Sequence, residues 1–231
     1  MKIHRLLLLL CLVLLGPDAV ASQRPSNTAP ERVAVDAQNP PFMFAHGPAA
    51  AGLYPAVIAE AFRRMGRPVQ LEALPWKRAL AGLEQGVWGV GGIYMNSERL
   101  QKFDYSAPFF EERLMLYTTR EGRFEFLTID DLAGKIVGVM RGWSYGDAFD
   151  AAAAVNALKK DESETDAANF AKLRAGRVDV VIAAPETWAN LRADFAPEGE
   201  VVELPTPLAR HPVHLVFLKS ANKAELVEAF N

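Results

Sequence analysis

Short runs of β-branched and other apolar residues alternate along this chain with stretches in which apolar residues recur every three to four positions. The short runs are typical of buried strands, whereas the longer stretches are typical of helices that cover a sheet with one face. Strands predicted at 32–37 and 69–74 enclose a helix predicted at 53–66, and a second helix at 76–85 precedes a glycine-rich strand at 89–95. Because strands and helices alternate, the sequence predicts a layered α/β fold.

The same alternation restarts in the second half of the chain. A strand is predicted at 114–119, further strands are predicted at 136–140 and 178–183, and a helix is predicted to open at Ser144 between the last two. A late strand at 213–218 and a final helix at 221–230 then return to the first set of elements. The sequence therefore predicts two α/β lobes with a cleft between them, and ligands of open α/β sheets bind outside the carboxyl ends of the strands. The predicted bounds are 31–111 with 208–231 for the first lobe and 112–207 for the second.

The first residues have the pattern of a secretory signal peptide. Lys2 and Arg5 precede an unbroken apolar run at 6–15, which a Gly-Pro break and the sequence Ala-Val-Ala follow. Such a run rises only about 15 Å as a helix, half of the roughly 30 Å hydrocarbon layer, so it is short for a membrane span. We predict cleavage after Ala21, a flexible leader at 22–30 and release of the mature chain into the periplasm.

Composition limits the classes of protein to which this chain can belong. Its 231 residues are 50% hydrophobic and 23% charged, which excludes a disordered tail and a fibrous repeat. The 25 basic and 28 acidic residues form no basic block, so neither a nucleic-acid groove nor a polybasic membrane patch is predicted. The sole cysteine, Cys11, lies in the predicted signal peptide, so the mature chain depends on its apolar core and not on disulfides.

Two groups suited to an anion follow strands at the edge where a ligand is expected. Asn96 is placed to cap a short helix whose first turn contains Arg99. A cation there opposes the helix dipole, so its position is explained either by a neighbouring acid such as Glu98 or by a ligand carboxylate held in its planar fork. In the second half, Gly142 permits a tight turn before Ser144, and free amides at the start of the predicted helix suit the same carboxylate.

Aromatic residues are frequent around the same edge. Trp76 and Trp143 each follow a predicted strand, which favours stacking on a flat, apolar or cationic part of a ligand. Phe44 and Trp88 are expected in the core, as are most aromatic residues of a folded chain.

Seven segments of the chain carry a family pattern. They are PPFMF at 40–44, the helix at 53–66, LPWKRAL at 74–80, GGIYMNSER at 91–99, FDYSAPFFEE at 103–112, DLAGKIVGVMRGWSYG at 131–146 and GRVDVVIA at 176–183. In this order and spacing they resemble the extracellular solute-binding proteins of family 3, the periplasmic receptors for polar amino acids that serve ABC importers. No single segment is decisive, but seven in register are specific for the fold.

The resemblance implies a type II periplasmic binding-protein fold, in which two lobes close over a ligand about a hinge of crossing strands. It also implies a small carboxylate-bearing ligand, an amino acid or a related polar compound, and an inner-membrane ABC permease as the partner of a monomeric receptor. We expect no cofactor, no metal and no nucleic acid. The positions that the resemblance assigns to the ligand are Arg99 for the carboxylate, Trp76 and Phe42 for ring stacking, Gly92 and Tyr94 beside the arginine segment, and the amides of Trp143 and Ser144.

One position departs from the family pattern. Many of these receptors carry an aspartate shortly after the GR-x-D strand, where it binds the ammonium of the ligand, and the aligned position is Ala184. Glu186 is a candidate for the absent carboxylate, although an acid in the first turn of a helix also stabilises the helix without a ligand. Because an unpaired ammonium in a closed cleft is costly, either an acid compensates or the ligand is not an ordinary α-amino acid.

The sequence contains no recognised signature of catalysis. It has no G-x-S-x-G elbow, phosphate-binding P-loop or HExxH motif, and His211 and His214 have no third metal ligand nearby. We therefore predict a binding protein. The alternative on the same fold is a periplasmic dehydratase of the prephenate or arogenate type, which resembles these receptors and would use Glu186 as a general acid. A third interpretation, the sensor lobe of a transmembrane kinase, is not expected, because it requires a spanning segment and cytoplasmic domains.

Overall fold

The computed structural model describes residues 29–195 and 200–231. The predicted signal peptide, 1–21, and all but the last two residues of the predicted leader lie outside the described residues. The described strands are β1 (Glu31–Asp36), β2 (Gln38–Asn39), β3 (Met43–His46), β4 (Ala49–Ala51), β5 (Val69–Leu74), β6 (Gly89–Tyr94), β7 (Phe103–Tyr105), β8 (Phe110–Thr119), β9 (Ile136–Met140), β10 (Lys159–Ser163), β11 (Val180–Ala183), β12 (Val201–Glu203) and β13 (Ala209–Leu218). The described α-helices are α1 (Leu53–Arg64), α2 (Trp76–Glu84), α3 (Ser97–Lys102), α4 (Asp147–Ala154), α5 (Asp166–Arg174), α6 (Pro185–Phe195) and α7 (Ala224–Phe230).

The main sheet contains two groups of parallel strands. Its strand order is β10-β9-β11-β8-β13-β6-β1-β5, with β12 paired to β8 and β7 paired to β13. Strands β1, β5 and β6 form the first strand group, and strands β9, β10 and β11 form the second strand group. The short strands β2, β3 and β4 form a separate antiparallel sheet. Strands β8 and β13 therefore lie between the two groups.

These two intervening strands connect the groups to each other. They pair with one another from Ala209 opposite Leu114 to Val213 opposite Phe110. Beyond this ladder, β13 pairs with β6 of the first group and β8 pairs with β11 of the second. The chain thus passes from the first group to the second through β8 and returns through β13.

The carboxyl ends of the two groups meet. Asp36 is the last residue of β1, and Trp143 follows the last residue of β9 by three positions. The indole N–H of Trp143 donates to the Asp36 carboxylate at 3.0 Å, although the two residues are 107 positions apart. The fold therefore brings together the strand ends at which α/β proteins bind ligands.

Most of the predicted elements are confirmed, and two are longer than predicted. The strands predicted at 69–74 and 136–140 have the same bounds in the structure. The strands predicted at 114–119 and 213–218 each begin four residues earlier, at Phe110 and Ala209. Charged residues interrupt the apolar pattern in both added segments, so the sequence did not reveal that these strands extend across both groups.

The prediction that a helix opens at Ser144 is wrong. Helix α4 begins at Asp147, after Gly146 with a φ of +97°. The Tyr145 hydroxyl accepts the Met140 amide at 2.8 Å, and the Ser144 hydroxyl donates to Asp150. These side-chain bonds hold residues after β9 in a loop, because Ser and Tyr oxygens here replace the backbone partners that a helix would supply.

Each strand group is covered by helices with a buried face. Tyr54, Ile58 and Phe62 of α1 are buried, and so are Phe170 and Leu173 of α5. Spacings of three and four residues place these side chains on one face of each helix. Among the described residues, no helix has the length and apolar character needed to cross a membrane.

Candidate functional site

Trp143 lies where the two strand groups meet. Its ring centroid is 6.1 Å from that of Trp76 and 5.7 Å from that of Tyr94, and the Tyr94 ring is edge-on at 88°. The Tyr145 ring lies 6.4 Å away. Aromatic rings in this range of distances and angles attract one another. The structure thus brings three predicted site residues, Trp76, Tyr94 and Trp143, into one aromatic cluster.

Arg99 is half-buried in the short helix α3. Asn96 caps this helix as predicted, since its side-chain oxygen accepts the Arg99 amide at 2.8 Å. The guanidinium donates to the Tyr94 carbonyl at 3.1 Å, and burial lowers the pKa of Arg99. In the described part of the chain no carboxylate forms a salt bridge with Arg99, although Asp150 and Glu98 are within electrostatic range. Because a guanidinium has five N–H groups, most of its donors are free for another partner.

Arg99 lines a cavity of about 270 Å³ to which both strand groups contribute. The Ser144 hydroxyl, from the second group, donates to the Asp150 carboxylate and accepts the Asn96 side-chain N–H at 3.0 Å. Ser144 therefore reaches the Arg99 cavity through its hydroxyl and not through the start of a helix. The other residues of the cavity wall are Leu80, Glu84, Glu98, Lys102, Phe103, Trp143 and Lys160.

Phe42 and Gly92 are packed inside the first part of the chain. Phe42 is buried and stacks on Tyr54 with ring centroids 5.3 Å apart. Gly92 has a φ of +85°, and a Cβ at this position would lie 2.5 Å from the Met43 sulfur. Only glycine meets both conditions, so packing explains the residue. Contact of Phe42 or Gly92 with a ligand stays a prediction.

Glu186 is exposed in the first turn of α6, directly after Pro185. The next residue, Thr187, is buried, and its hydroxyl donates to the Pro40 carbonyl at 3.4 Å. Ala184, the position of the family aspartate, is also buried. The helix therefore turns Thr187 toward the first part of the chain and leaves Glu186 exposed, within electrostatic range of Tyr54 and Glu112.

Glu112 is a buried acid beside the aromatic cluster that sequence reasoning missed. The hydroxyls of Tyr54 and Tyr94 each donate to one of its two carboxylate oxygens. Burial raises the pKa of Glu112 to about 7. His211, its neighbour across the ladder of β8 and β13, stacks on Tyr94 with ring centroids 4.6 Å apart. The signal that could have found Glu112 is the strand period of two, which places it on the same face as the buried Leu114.

Asp36 and Asp166 are two further buried acids that sequence reasoning missed. Asp36 accepts the Gln38 amide at 3.0 Å in addition to the Trp143 indole, and burial raises its pKa to about 6. Asp166 is the first residue of α5, and burial, together with the charges of Asp36 and Glu112, raises its pKa to about 7. Asp36 could have been found because it ends a strand at the ligand edge. Nothing in the sequence distinguishes Asp166 from an ordinary acid in the first turn of a helix.

The arrangement combines a guanidinium, buried acids and an aromatic cluster in one region. A guanidinium holds a carboxylate through two parallel hydrogen bonds, and aromatic faces stack on flat or cationic groups. Within 29–195 and 200–231, no three His, Cys, Asp or Glu side chains are placed to hold a metal ion. The region therefore offers donors, acceptors and stacking surfaces to a small polar molecule.

Comparison with protein families gives one match. Residues 32–169, more than half of the chain, match the sequence profile of the bacterial extracellular solute-binding proteins, family 3. Comparison with curated proteins gives no match.

Several solved structures are similar to this chain in fold. Holo ArgBP from T. maritima is 20% identical, with a TM-score of 0.70 and 87% of each chain covered. A histidine kinase sensor domain with similarity to periplasmic binding proteins is 19% identical, with a TM-score of 0.74 and coverage of 87% of this chain and 86% of that chain. An ancestral amino acid-binding protein, described as a precursor of cyclohexadienyl dehydratase, is 22% identical, with a TM-score of 0.68 and the same coverage. These likenesses confirm the predicted periplasmic binding-protein fold.

Proposed function

The chain belongs to the bacterial extracellular solute-binding proteins of family 3, and from that premise we propose that it binds a small carboxylate-bearing molecule between its two strand groups. The molecule is an amino acid or a related polar compound, a class supported by the amino-acid-binding proteins among the structures of similar fold. Family membership also supports a periplasmic location and delivery of the ligand to an inner-membrane ABC permease.

One observation carries the proposal: Arg99 is half-buried and has no salt-bridge partner among the residues that the structure describes. A charge taken out of water without a partner is costly, and a ligand carboxylate would supply that partner through two hydrogen bonds. The Lys160 side chain lines the same cavity from the second strand group and is available to the same anion, whereas the Ser144 hydroxyl already donates its one proton to Asp150.

We propose further that the two strand groups belong to two lobes that close on the ligand, with β8 and β13 as the hinge. Near the cavity, Asn96 bonds to Ser144, and the Ser97 amide donates to Asp147 at 3.2 Å. Contacts made only when the lobes are together favour the closed form, and a ligand that touches both lobes adds to them. Binding is therefore coupled to closure. The proposed lobe bounds are 31–111 with 208–231, and 112–207.

The test begins with a thermal-shift screen of the protein against amino acids, organic acids and amines, since a ligand of the folded state raises the melting temperature. The tightest binder is then titrated calorimetrically into the wild type, Arg99→Ala and Arg67→Ala. Arg67 is exposed, so its variant is a matched control for the loss of one arginine. We expect Arg99→Ala to bind about 100-fold more weakly and Arg67→Ala to bind like the wild type. Equal affinity in Arg99→Ala and the wild type would sink the proposal.

A dehydratase function has one observation in its favour, the likeness to the ancestral precursor of cyclohexadienyl dehydratase. Glu186, the general acid expected for that function, is exposed. Glu112 has the raised pKa that a general acid needs, but the Tyr54 and Tyr94 hydroxyls occupy both of its oxygens. Incubation of the purified protein with prephenate, followed by detection of phenylpyruvate, tests this alternative, and we expect no product.

A further inference from the structure

Asp36, Glu112 and Asp166 are buried acids without a basic partner. They are 1%, 2% and 7% exposed, respectively. In the described part of the chain, no lysine or arginine forms a salt bridge with any of them or lowers its pKa. Buried acids in proteins are normally paired with a cation, or they take up a proton. The fold thus gathers three buried acids whose charge none of the described lysines or arginines neutralises through a salt bridge.

The topology places Asp166 on the second strand group, close to Asp36 on the first. Ser163, the last residue of β10, pairs with Met140, the last residue of β9, so α5 begins beside the loop that carries Trp143. Trp143 in turn donates to Asp36. The charge of Asp36 acts on Asp166 strongly enough to raise the Asp166 pKa. The two acids therefore belong to the same region, at the meeting point of the strand ends.

Several polar groups in this region have no hydrogen-bond partner among the described residues, and two of them belong to Asp166 and Trp76. The Asp166 carboxylate accepts no hydrogen bond, in contrast to the bonded carboxylates of Asp36 and Glu112. The indole N–H of Trp76 is buried without an acceptor, and its ring packs against Trp143. Buried polar groups in native proteins are nearly always satisfied, and a buried carboxylate is the costliest group to leave without a partner, so Asp166 is the exception that most needs one.

An organic cation suits this region better than a metal ion. No three His, Cys, Asp or Glu side chains of the described residues are placed to hold a metal. The Trp143 ring packs against those of Trp76 and Tyr145, and Tyr145 lies within electrostatic range of Asp166. Aromatic faces attract organic cations. Acids and rings together form a common binding environment for ammonium and guanidinium groups.

We propose that Asp166 binds a positively charged nitrogen of the ligand, in place of the aspartate that this chain lacks at position 184. The inference rests on the proposed function, in which Arg99 binds the carboxylate of the same molecule. The ligand is then a zwitterion that carries an ammonium or guanidinium group. Asp36 and Glu112 already accept hydrogen bonds from the chain, so they add negative potential, whereas Asp166 keeps both oxygens for the ligand.

The first test uses the wild type alone and compares compounds that differ in the charged nitrogen. Titration calorimetry compares L-lysine with 6-aminohexanoate and hexanoate, L-glutamate with glutarate, and L-phenylalanine with 3-phenylpropanoate. We expect every compound that binds to carry the charged nitrogen and its counterpart without nitrogen to bind at least about tenfold more weakly. A nitrogen-free acid that binds as tightly as its counterpart, or a panel in which no compound with a charged nitrogen binds, overturns the inference.

The second test removes the charge of Asp166 with the isosteric variant Asp166→Asn. Glu121→Gln, a change at an exposed acid after β8, is the matched control. We expect Asp166→Asn to bind the tightest compound about 10- to 100-fold more weakly and, without ligand at pH 8, to melt about 2–4 °C higher, because a buried unpaired charge is removed. Unchanged affinity in Asp166→Asn overturns the inference.

Arg99→Ala, measured with the same compound, separates this inference from the proposed function. Affinity that is lost in Arg99→Ala but kept in Asp166→Asn contradicts the inference alone. Affinity that is kept in Arg99→Ala but lost in Asp166→Asn contradicts the proposed carboxylate site and leaves the cation site standing.

Discussion

The two strand groups each bring one charged group without a salt-bridge partner to the proposed site, and these two charges differ in kind. Arg99, on the first group, is half-buried, and although burial lowers its pKa an arginine keeps its charge at any ordinary pH. Asp166, on the second group, has a pKa of about 7, so its charge changes near neutrality. The contrast shows that one end of the proposed site is permanently charged, whereas the other end responds to pH and to a bound cation.

The largest expected effect concerns packing, which is tighter around Gly92, in the strand group that carries Arg99, than around Gly134. Gly92→Ala places a Cβ 2.5 Å from the Met43 sulfur at a φ of +85°. We expect it to lower the free energy of unfolding by about 3–4 kcal/mol, from backbone strain and overpacking together. Gly134, in the second half of the chain, has a φ of +75° but no atom within 4 Å of such a Cβ, so Gly134→Ala should cost only about 1–2 kcal/mol. Urea denaturation measures both, and equal losses would show that the two halves are packed alike here.

The next effect is on pH dependence. A carboxyl whose pKa is raised by folding contributes stability below its unfolded pKa of about 4, and this contribution is lost as the pH rises through the folded pKa. The stabilising contribution is lost up to about pH 6 for Asp36 and up to about pH 7 for Glu112 and Asp166. Each group lowers the free energy of unfolding by up to about 1.4 kcal/mol for each pH unit in that range. Burial lowers the pKa of His211 and His214, and these contribute stability that is lost as the pH falls below about 6.5.

The acids and the histidines change the free energy of unfolding in opposite directions as the pH rises. The contribution of Asp166 is therefore obtained from the difference between the wild type and Asp166→Asn. The free energy of unfolding of the ligand-free wild type, measured at pH 5.5, 6.5 and 7.5, should fall more steeply with rising pH than that of Asp166→Asn. Affinity for a cationic ligand should rise over the same interval in the wild type and change less in the variant. Parallel stability curves for the two proteins would show that Asp166 does not titrate there.

Arg99→Lys tests the geometry on the permanently charged side. Lysine keeps the charge but loses the planar fork, so we expect affinity for the tightest compound of the screen to fall about tenfold. The melting temperature without ligand should change little. If calorimetric titration gives wild-type affinity for Arg99→Lys, positive charge alone is sufficient. That result would contradict binding of the carboxylate through two parallel hydrogen bonds.

Two helix caps, one on each side, give a smaller effect. Asn96 accepts the Arg99 amide at 2.8 Å, and Thr165 accepts the Ala168 amide at 3.1 Å. Alanine at either cap should lower the free energy of unfolding by about 1 kcal/mol. Only Asn96 also bonds across to Ser144, so only Asn96→Ala should weaken ligand binding. Equal ligand affinity in the two variants would show that the bond between Asn96 and Ser144 does not favour the closed form.

The smallest effect is expected from Glu186→Gln. Since Glu186 is exposed, the ligand affinity of the variant should stay within about twofold of the wild-type value, and its free energy of unfolding should change little. A loss of affinity as large as that of Asp166→Asn would restore Glu186 as the partner of the ligand's cation and contradict the assignment to Asp166.

Local patterns in the sequence predicted the parts of this molecule that depend on local physics. Strand and helix periodicity predicted the α/β fold, and the strand ends pointed to Trp76, Arg99 and Trp143, which lie where the two strand groups meet. Asn96 was recognised as a cap because capping needs only residues three positions apart.

The remaining features depend on contacts between distant residues or on helical phase. Trp143 and Asp36 meet across 107 positions, and no periodicity indicates that pairing. The phase of α6, which buries Thr187 and exposes Glu186, follows from the packing of Trp188 and Leu191 against the core of the second strand group. Asp166 looks like a helix-dipole acid in the sequence, and only the packing of the second strand group against the first shows that it is buried beside Asp36.

A crystal structure of the protein with the tightest compound of the screen would show directly whether Arg99 binds the ligand. We expect a ligand carboxylate within about 2.7–3.1 Å of two Arg99 nitrogens, in place of an unpaired guanidinium. A bound ligand whose carboxylate lies elsewhere, with Arg99 still bonded only to the Tyr94 carbonyl, would contradict this expectation.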